Sequence, residues 1–77
     1  MIQISDINAV IEATNLDVDT ATLDPALALT DQGIDSLDFA NVLFNLEETF
    51  NVKIKDEEID RVSTINDMVA FLNAKAQ

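Results

Sequence analysis

The longest helical pattern in the sequence runs from Ser36 to Phe50, and it constrains the fold more than any other feature. The only glycine of the chain, Gly33, stands just before this pattern and can adopt a left-handed turn there. Asp35 and Ser36 are both residue types that cap helices well. We therefore predict that a helix begins at Ser36 and that the Ser36 hydroxyl lies near the surface, where helix N-terminal amides favour negatively charged groups.

This helix carries two apolar faces when its residues are spaced at about 100 degrees each. Leu37, Ala40 and Phe44 gather on one side, with Glu47 and Glu48 flanking them. A purely structural helix rarely turns a leucine and a phenylalanine away from its core, so we interpret this side as a docking surface for another protein. Scattered surface apolar residues are the alternative interpretation. The opposite side is predicted to face the core and consists of Phe39, Val42, Leu43, Leu46 and Phe50.

Three further helices are predicted from apolar spacing. The first carries Ile4, Ile7, Val10 and Ile11. A short one spans Asp56–Val62, and the last one begins after a cap at Ser63 or Thr64 and frays over residues 73–77. We therefore predict an all-α fold, a small four-helix bundle of three longer helices and a short third helix, forming one domain over residues 1–77. The core face of the last helix consists of Ile65, Met68, Val69 and Leu72.

A long loop is predicted between the first and second helices, over residues 16–32, with a short helical turn inside it. Its only proline is Pro25, and no helical period is sustained across it. Leu23, Leu27 and Leu29 are expected to pin the loop to the core. Loops of this length in small domains are functional or mobile.

Charge and composition narrow the function classes. The chain has 15 acidic and 4 basic residues, a net charge of −11, which disfavours nucleic acid and membrane surfaces and favours basic protein surfaces as partners. It has no cysteine, which indicates a reducing, cytoplasmic compartment, and no histidine to activate a nucleophile. Asp31 and Asp35 do not match an EF-hand loop, so we expect no dedicated metal site. We expect a monomer without catalytic residues.

The segment Asp35-Ser36-Leu37-Asp38, with Gly33 before it, resembles the attachment motif of the acyl carrier protein family. The resemblance covers essentially the whole chain. It implies that Ser36 carries a 4'-phosphopantetheine arm, transferred from coenzyme A by a phosphopantetheinyl transferase, whose thiol holds acyl intermediates as thioesters. Further matches lie at the end of the second helix, in Leu46-Glu47-Glu48 and Phe50. Others lie in the third helix and the start of the fourth, in Asp56-Glu57-Glu58 and Thr64.

The resemblance also implies a partner surface and a pocket. Asp35 and Asp38 would lie within the surface that the transferase contacts, and basic patches of acyl-processing enzymes would bind the second helix, including Leu37, Ala40 and Phe44. The acyl chain would fold into a pocket lined by Leu46, Ile54, Ile59, Val62 and Met68. For the protein without cargo we expect these residues to form an ordinary filled core.

Several positions depart from the family pattern, namely Gln32, Asn41, Phe44 and Lys55. These departures favour a specialised carrier over the housekeeping carrier of fatty-acid synthesis. The first methionine and the absence of flanking linkers lead us to expect a freestanding, bacterial type that serves fatty-acid, lipid or polyketide synthesis. Two alternatives stay open: an acidic helical adaptor that binds proteins without a prosthetic group, and a peptidyl or aminoacyl carrier.

Overall fold

The computed structural model describes residues 1–14 and 18–75, and every regular element in this part of the chain is a helix, without strands. The predicted all-α bundle of three longer helices and a short one before the last is confirmed; the short element is a 3₁₀ helix. Two additional 3₁₀ turns lie in the predicted loop, whose residues 16 and 17 fall outside the described ranges. The elements are α1 (Ile4–Ala13), η1 (Thr20–Thr22), η2 (Leu29–Gln32), α2 (Ser36–Phe50), η3 (Asp56–Val62) and α3 (Ile65–Lys75).

The three α-helices are joined by side-chain amides that link distant parts of the chain. The Asn45 amide of α2 donates to the Thr14 hydroxyl at the end of α1, at 2.7 Å. The Asn73 amide of α3 accepts from the Ile2 amide at 2.9 Å and donates to the Ile2 carbonyl at 3.0 Å. The start of α1 therefore lies beside the end of α3. The predicted fraying of residues 73–77 is wrong for residues 73–75, because α3 continues to Lys75 and the two bonds of Asn73 anchor its last turn. Residues 76 and 77 lie outside the described ranges.

The core forms where the apolar faces of the three α-helices meet. The predicted inward face of α2 is confirmed, because Val42, Leu43 and Leu46 are buried and Phe39 and Phe50 pack against them while half-buried. Burial of such side chains is the main stabilising contribution in a domain of this size. The buried residues are Ile7, Val10, Ile11, Leu29, Ile34, Val42, Leu43, Leu46, Val62, Ile65, Met68 and Leu72.

The segment before α2 is held by its backbone as well as by its leucines. Leu29 is fully buried and Leu23 is half-buried against the core, as predicted. Leu27 is 51% exposed, so its predicted role as a core anchor is wrong. The Leu27 amide donates to the Asp24 carbonyl at 3.2 Å, and this turn directs the leucine outward. The loop is instead tied to the start of α3 by the Leu29 amide, which donates to the Ser63 carbonyl at 2.9 Å.

Gln32 closes the same segment through its side-chain amide. Its carbonyl oxygen accepts from the Asp24 amide at 2.7 Å, and its NH₂ group donates to the carbonyls of Asp24 at 3.0 Å and Leu27 at 3.1 Å. One side chain thus satisfies three backbone groups of the turn that precedes η2. These bonds give a physical reason for a polar side chain at position 32, one of the predicted departures from the family pattern.

We expect Gln32→Ala to lower the free energy of unfolding by about 1–2 kcal/mol, because backbone partners lose their hydrogen bonds. Gln32→Glu should be at least as destabilising, since a carboxylate keeps the bond from the Asp24 amide but faces the carbonyls of Asp24 and Leu27 without a donor. Urea unfolding followed by circular dichroism measures both. The control is Asn41→Ala, at an exposed amide of α2, which should change stability by less than about 0.5 kcal/mol. Wild-type stability in both Gln32 variants would contradict this role.

The two last elements begin as predicted. The Thr64 hydroxyl oxygen accepts from the Asp67 amide at 2.9 Å, so Thr64 caps α3. Within η3, the Glu58 carboxylate accepts from the Lys55 amide at 3.0 Å and pairs with Lys75 at 3.2 Å. The hydrogen bond from the Lys55 backbone amide lowers the pKa of Glu58 from its ordinary value, and the nearby Lys75 ammonium lowers it further. The ion pair joins η3 to the end of α3, and a 3₁₀ helix of this length requires contacts with the rest of the fold for stability.

Candidate functional site

The start of α2 is built by four consecutive residues with distinct roles. Gly33 ends η2 with φ of 89°, the left-handed conformation predicted for it. Ile34 is buried and anchors the turn in the core. The Asp35 carboxylate accepts from the Asp38 amide at 2.8 Å, so Asp35 is the N-cap residue. Ser36 is the first residue of the helix and is exposed, and its side chain is not needed as the cap.

The Ser36 hydroxyl lies at the positive end of the α2 dipole. The Asp38 amide is bonded to the Asp35 carboxylate, and the Phe39 amide donates to the Asp35 carbonyl at 2.9 Å. Helix geometry leaves the amides of Ser36 and Leu37 without an acceptor inside the helix. Backbone N–H groups in this arrangement favour a phosphate, which a substituent on the Ser36 oxygen would place beside them. The geometry of this helix start therefore fits a phosphate-linked group.

The predicted docking surface contains the two most exposed apolar side chains of α2. Leu37 is 71% exposed and Phe44 is 58% exposed, with Ala40 exposed between them along the helix. Glu48 is exposed at the edge of this side, and Asp38 is half-buried near its start. The structure thus brings apolar and acidic groups together on the part of α2 that follows Ser36. Their role in binding a partner stays a prediction.

Glu47 has a structural contact that its predicted role in partner recognition did not include. Its carboxylate accepts from the Ile54 amide at 2.7 Å, and the side chain is half-buried. Glu47 therefore ties α2 to the segment that leads into η3. Recognition of a partner by the same carboxylate stays a prediction.

The residues predicted to line an acyl pocket lie together in the interior. Leu46, Val62 and Met68 have no exposed surface, while Ile54 and Ile59 are half-buried and pack against the core. They form part of one continuous apolar cluster that also includes the inward faces of α1 and α3. The role of these five residues as a pocket stays a prediction.

An open groove of about 400 Å³ lies elsewhere, between α1 and α2, and sequence reasoning missed it. Its only sequence signal is the pair Ala9 and Ala13, four residues apart, which places two small side chains on one side of α1. Within residues 1–14 and 18–75, no cluster of three or more acidic side chains is arranged to hold a metal ion. The groove is lined by Asp6, Ala9, Val10, Ala13, Asn45, Glu48, Thr49 and Phe50.

A protein-family comparison gives the class to which this fold and helix start belong. The family model described as the phosphopantetheine attachment site matches residues 7–72, most of the chain. The chain therefore belongs to the phosphopantetheine attachment site family, and the predicted membership in a phosphopantetheine-dependent carrier family is confirmed. Members of this family bind 4'-phosphopantetheine covalently on a serine, and its carrier domains are non-catalytic.

Proposed function

We propose that the protein is an acyl carrier whose 4'-phosphopantetheine arm is attached to Ser36. The observation that supports this assignment is the exposed position of Ser36 as the first residue of α2, after a left-handed glycine. The chain has only two other serines, Ser5 and Ser63. Ser5 lies outside the matched residues 7–72, and Ser63 is half-buried at the junction of η3 and α3. Ser36 is therefore the serine whose position suits attachment best.

The contribution of this chain is to present the arm rather than to react. With no histidine in the sequence, Ser36 has no ordinary general base to activate it, so loading depends on a separate transferase. When attached, the arm supplies a thiol that forms thioesters with acyl groups. The amides at the start of α2 would orient its phosphate, and covalent tethering would keep the cargo at high effective concentration for successive enzymes. A thiol in this role needs a reducing compartment, which is why we include a cytoplasmic location in the proposal.

The surface beside Ser36 supports basic enzymes as partners. Asp35, Asp38 and Glu48 surround the exposed side chains of Leu37 and Phe44, and the chain carries a net charge of −11. Opposite charge on the partner would speed association and set its orientation, whereas the apolar side chains would supply contact area. The transferase and acyl-processing enzymes of fatty-acid, lipid or polyketide synthesis fit this description. No helix in the described ranges has the length and apolar character needed to cross a membrane.

The choice of pathway rests on the positions that depart from the family pattern. Gln32 now has a structural explanation in its bonds to Asp24 and Leu27, so it carries less weight for the pathway. Asn41 and Phe44 lie on or beside the exposed side of α2, where they would alter contact with partners. These two positions are the reason that we favour a specialised acyl carrier.

A loading experiment tests the proposal. Incubation with coenzyme A, magnesium and a phosphopantetheinyl transferase should add the mass of one phosphopantetheine, and subsequent acylation should add an acyl mass that hydroxylamine removes. A reaction without coenzyme A is the control for non-specific adducts. An unmodified mass under conditions that load a known carrier would contradict the proposal. Loading with amino acids but not with fatty acyl groups would favour the peptidyl or aminoacyl alternative.

The adaptor without a prosthetic group is the second candidate, because the exposed Leu37 and Phe44 would serve it equally well. The two functions differ in their dependence on Ser36. An adaptor would keep its function in Ser36→Ala and lose it in Phe44→Ala, whereas a carrier would lose all function in Ser36→Ala. Complementation of the native host with both variants separates them.

A further inference from the structure

The groove between α1 and α2 is shaped by small side chains. Ala9 and Ala13 are exposed on α1, and Thr49 is exposed on α2, so little side-chain volume separates the two helices there. The half-buried Phe50 ring contributes apolar surface to the groove. The bond from Asn45 to the Thr14 hydroxyl holds the end of α1 against α2 beside it. The space, about 400 Å³, accommodates several side chains of another molecule.

The charge around this groove has one sign. Asp6 lines it from α1 and Glu48 lines it from α2. In total α1 carries two acidic residues and α2 carries three, and neither helix has a lysine or arginine. All four basic residues of the chain follow residue 52. An occupant of the groove therefore meets apolar surface flanked by carboxylates, without a nearby cation of this chain on either helix.

We propose that this groove docks a basic amphipathic helix of a partner protein. The apolar side of that helix would contact Ala9, Ala13 and Phe50, and its lysines or arginines would pair with Asp6 and Glu48. Helix-in-groove binding combines such apolar anchors with complementary charge. A second copy of this chain is disfavoured as occupant because its own α1 and α2 would bring acid against acid. A fatty acid is disfavoured for the same reason, since its carboxylate would meet the same charges.

The groove is separate from the attachment region and goes beyond the proposed function. Asn45 lies nine residues after Ser36, which corresponds to about 14 Å along α2. A helix seated in the groove would thus leave the start of α2 accessible. Glu48 lies between Phe44 and Asn45 around the helix, so it is the one acidic residue shared by the groove and the predicted docking surface.

The probe for a test is a synthetic helical peptide of leucine and lysine, with a matched peptide in which glutamate replaces every lysine. Binding to uniformly ¹⁵N-labelled protein is followed by amide shifts during titration. We expect the lysine peptide to change the chemical shifts of the Ala9, Ala13 and Thr49 amides and to bind more weakly as the salt concentration increases. The glutamate peptide should not bind. Ala9→Phe, which fills the groove, should lower the affinity for the lysine peptide at least about tenfold, because a central contact of the interface is lost.

Matched variants separate the groove from the rest of the surface. Ala70→Phe, at an exposed alanine of α3, should bind like the wild type. Thr49→Lys introduces a cation into the groove and should also weaken binding about tenfold, whereas Thr30→Lys, at an exposed threonine of η2, adds the same charge elsewhere and should weaken it much less. All four substitutions are at exposed positions, and dispersed amide spectra confirm that each variant is folded.

Three outcomes would overturn the proposal. The first is unchanged peptide affinity in both Ala9→Phe and Thr49→Lys, and the second is a set of shifts confined to the exposed side of α2 that contains Leu37 and Phe44. The third is a change in the chemical shifts of the groove amides with neutral decanol but not with the lysine peptide, which would indicate a small apolar ligand. Transfer of phosphopantetheine to Ala9→Phe is measured in parallel. Because loading does not require the groove, failure of one proposal leaves the other intact.

Discussion

Ser36→Ala is expected to accept no phosphopantetheine, because alanine has no oxygen to which the phosphate could be esterified. The fold should survive, since the N-cap bond to the Asp38 amide comes from Asp35 and the Ser36 side chain is exposed. Alanine is also a strong helix former, so the start of α2 should not weaken measurably. Intact-protein mass spectrometry after incubation with coenzyme A and transferase measures the effect, and circular dichroism confirms that the variant is helical.

Ser5→Ala is the matched control for this experiment. Ser5 is also exposed and also lies in the first turn of a helix, α1, so general features of a helix start are the same for both serines. It lies outside the family match and lacks the preceding left-handed glycine. We expect Ser5→Ala to load like the wild type. Full loading of Ser36→Ala, or loss of loading in Ser5→Ala, would contradict the assignment of the arm.

Leu46→Ala is expected to have the largest effect on stability. Leu46 has no exposed surface and lies in the centre of the core, so the substitution removes buried apolar atoms and leaves a cavity, at a cost of about 2–5 kcal/mol. Domains have roughly 0.05–0.15 kcal/mol of stability per residue, which is about 4–12 kcal/mol for a chain of this length. The variant therefore loses a large part of its free energy of unfolding. Urea unfolding followed by circular dichroism measures the loss.

Leu37→Ala is the matched control, with the same substitution on the same helix. Leu37 is 71% exposed, so its removal should change stability by less than about 0.5 kcal/mol. It should instead raise the KM of the transferase for the protein, because an exposed apolar contact of the proposed docking surface is lost. Equal destabilisation by the two substitutions would contradict the assignment of α2 faces, and an unchanged KM in Leu37→Ala would contradict the docking role.

Features set by local sequence were predicted well. The apolar spacing of α2, the bounds of η3 and the Thr64 cap each depend on residues within one or two turns of each other. The left-handed conformation of Gly33 likewise follows from the residue type and its position before a helix start. These elements needed no knowledge of which helices pack together.

Features set by distant contacts, or by turns in a loop without a periodic pattern, were not predicted. Asn73 anchors the end of α3 through Ile2, 71 residues away, and nothing in the C-terminal sequence indicates that partner. Leu27 was expected to be buried because it is apolar, but the turn that begins at Asp24 directs it outward. Gln32 has its bonding partners five and eight residues earlier, in a loop without a periodic pattern.

The candidate site likewise has features that the local sequence predicts and features that depend on how the helices pack. The attachment role of Ser36 is a prediction from the local motif Asp35-Ser36-Leu37-Asp38, and the family match over residues 7–72 is consistent with it. The groove could not be predicted, since it depends on how closely α1 and α2 pack around Ala9 and Thr49. The identity of the acyl group could not be predicted either, because the reactive thiol would belong to the attached arm and the residues proposed to hold an acyl chain are part of, or pack against, the apolar core.

The central claim concerns one oxygen atom, and the most direct test is to locate the modification within the chain. The loaded protein is digested, and fragment-ion masses of the peptide that carries the arm identify the modified residue. Our account predicts the complete phosphopantetheine mass on Ser36 and none on any other residue. A modified Ser5 or Ser63, or the absence of any modified peptide from protein isolated from its native host, would contradict it.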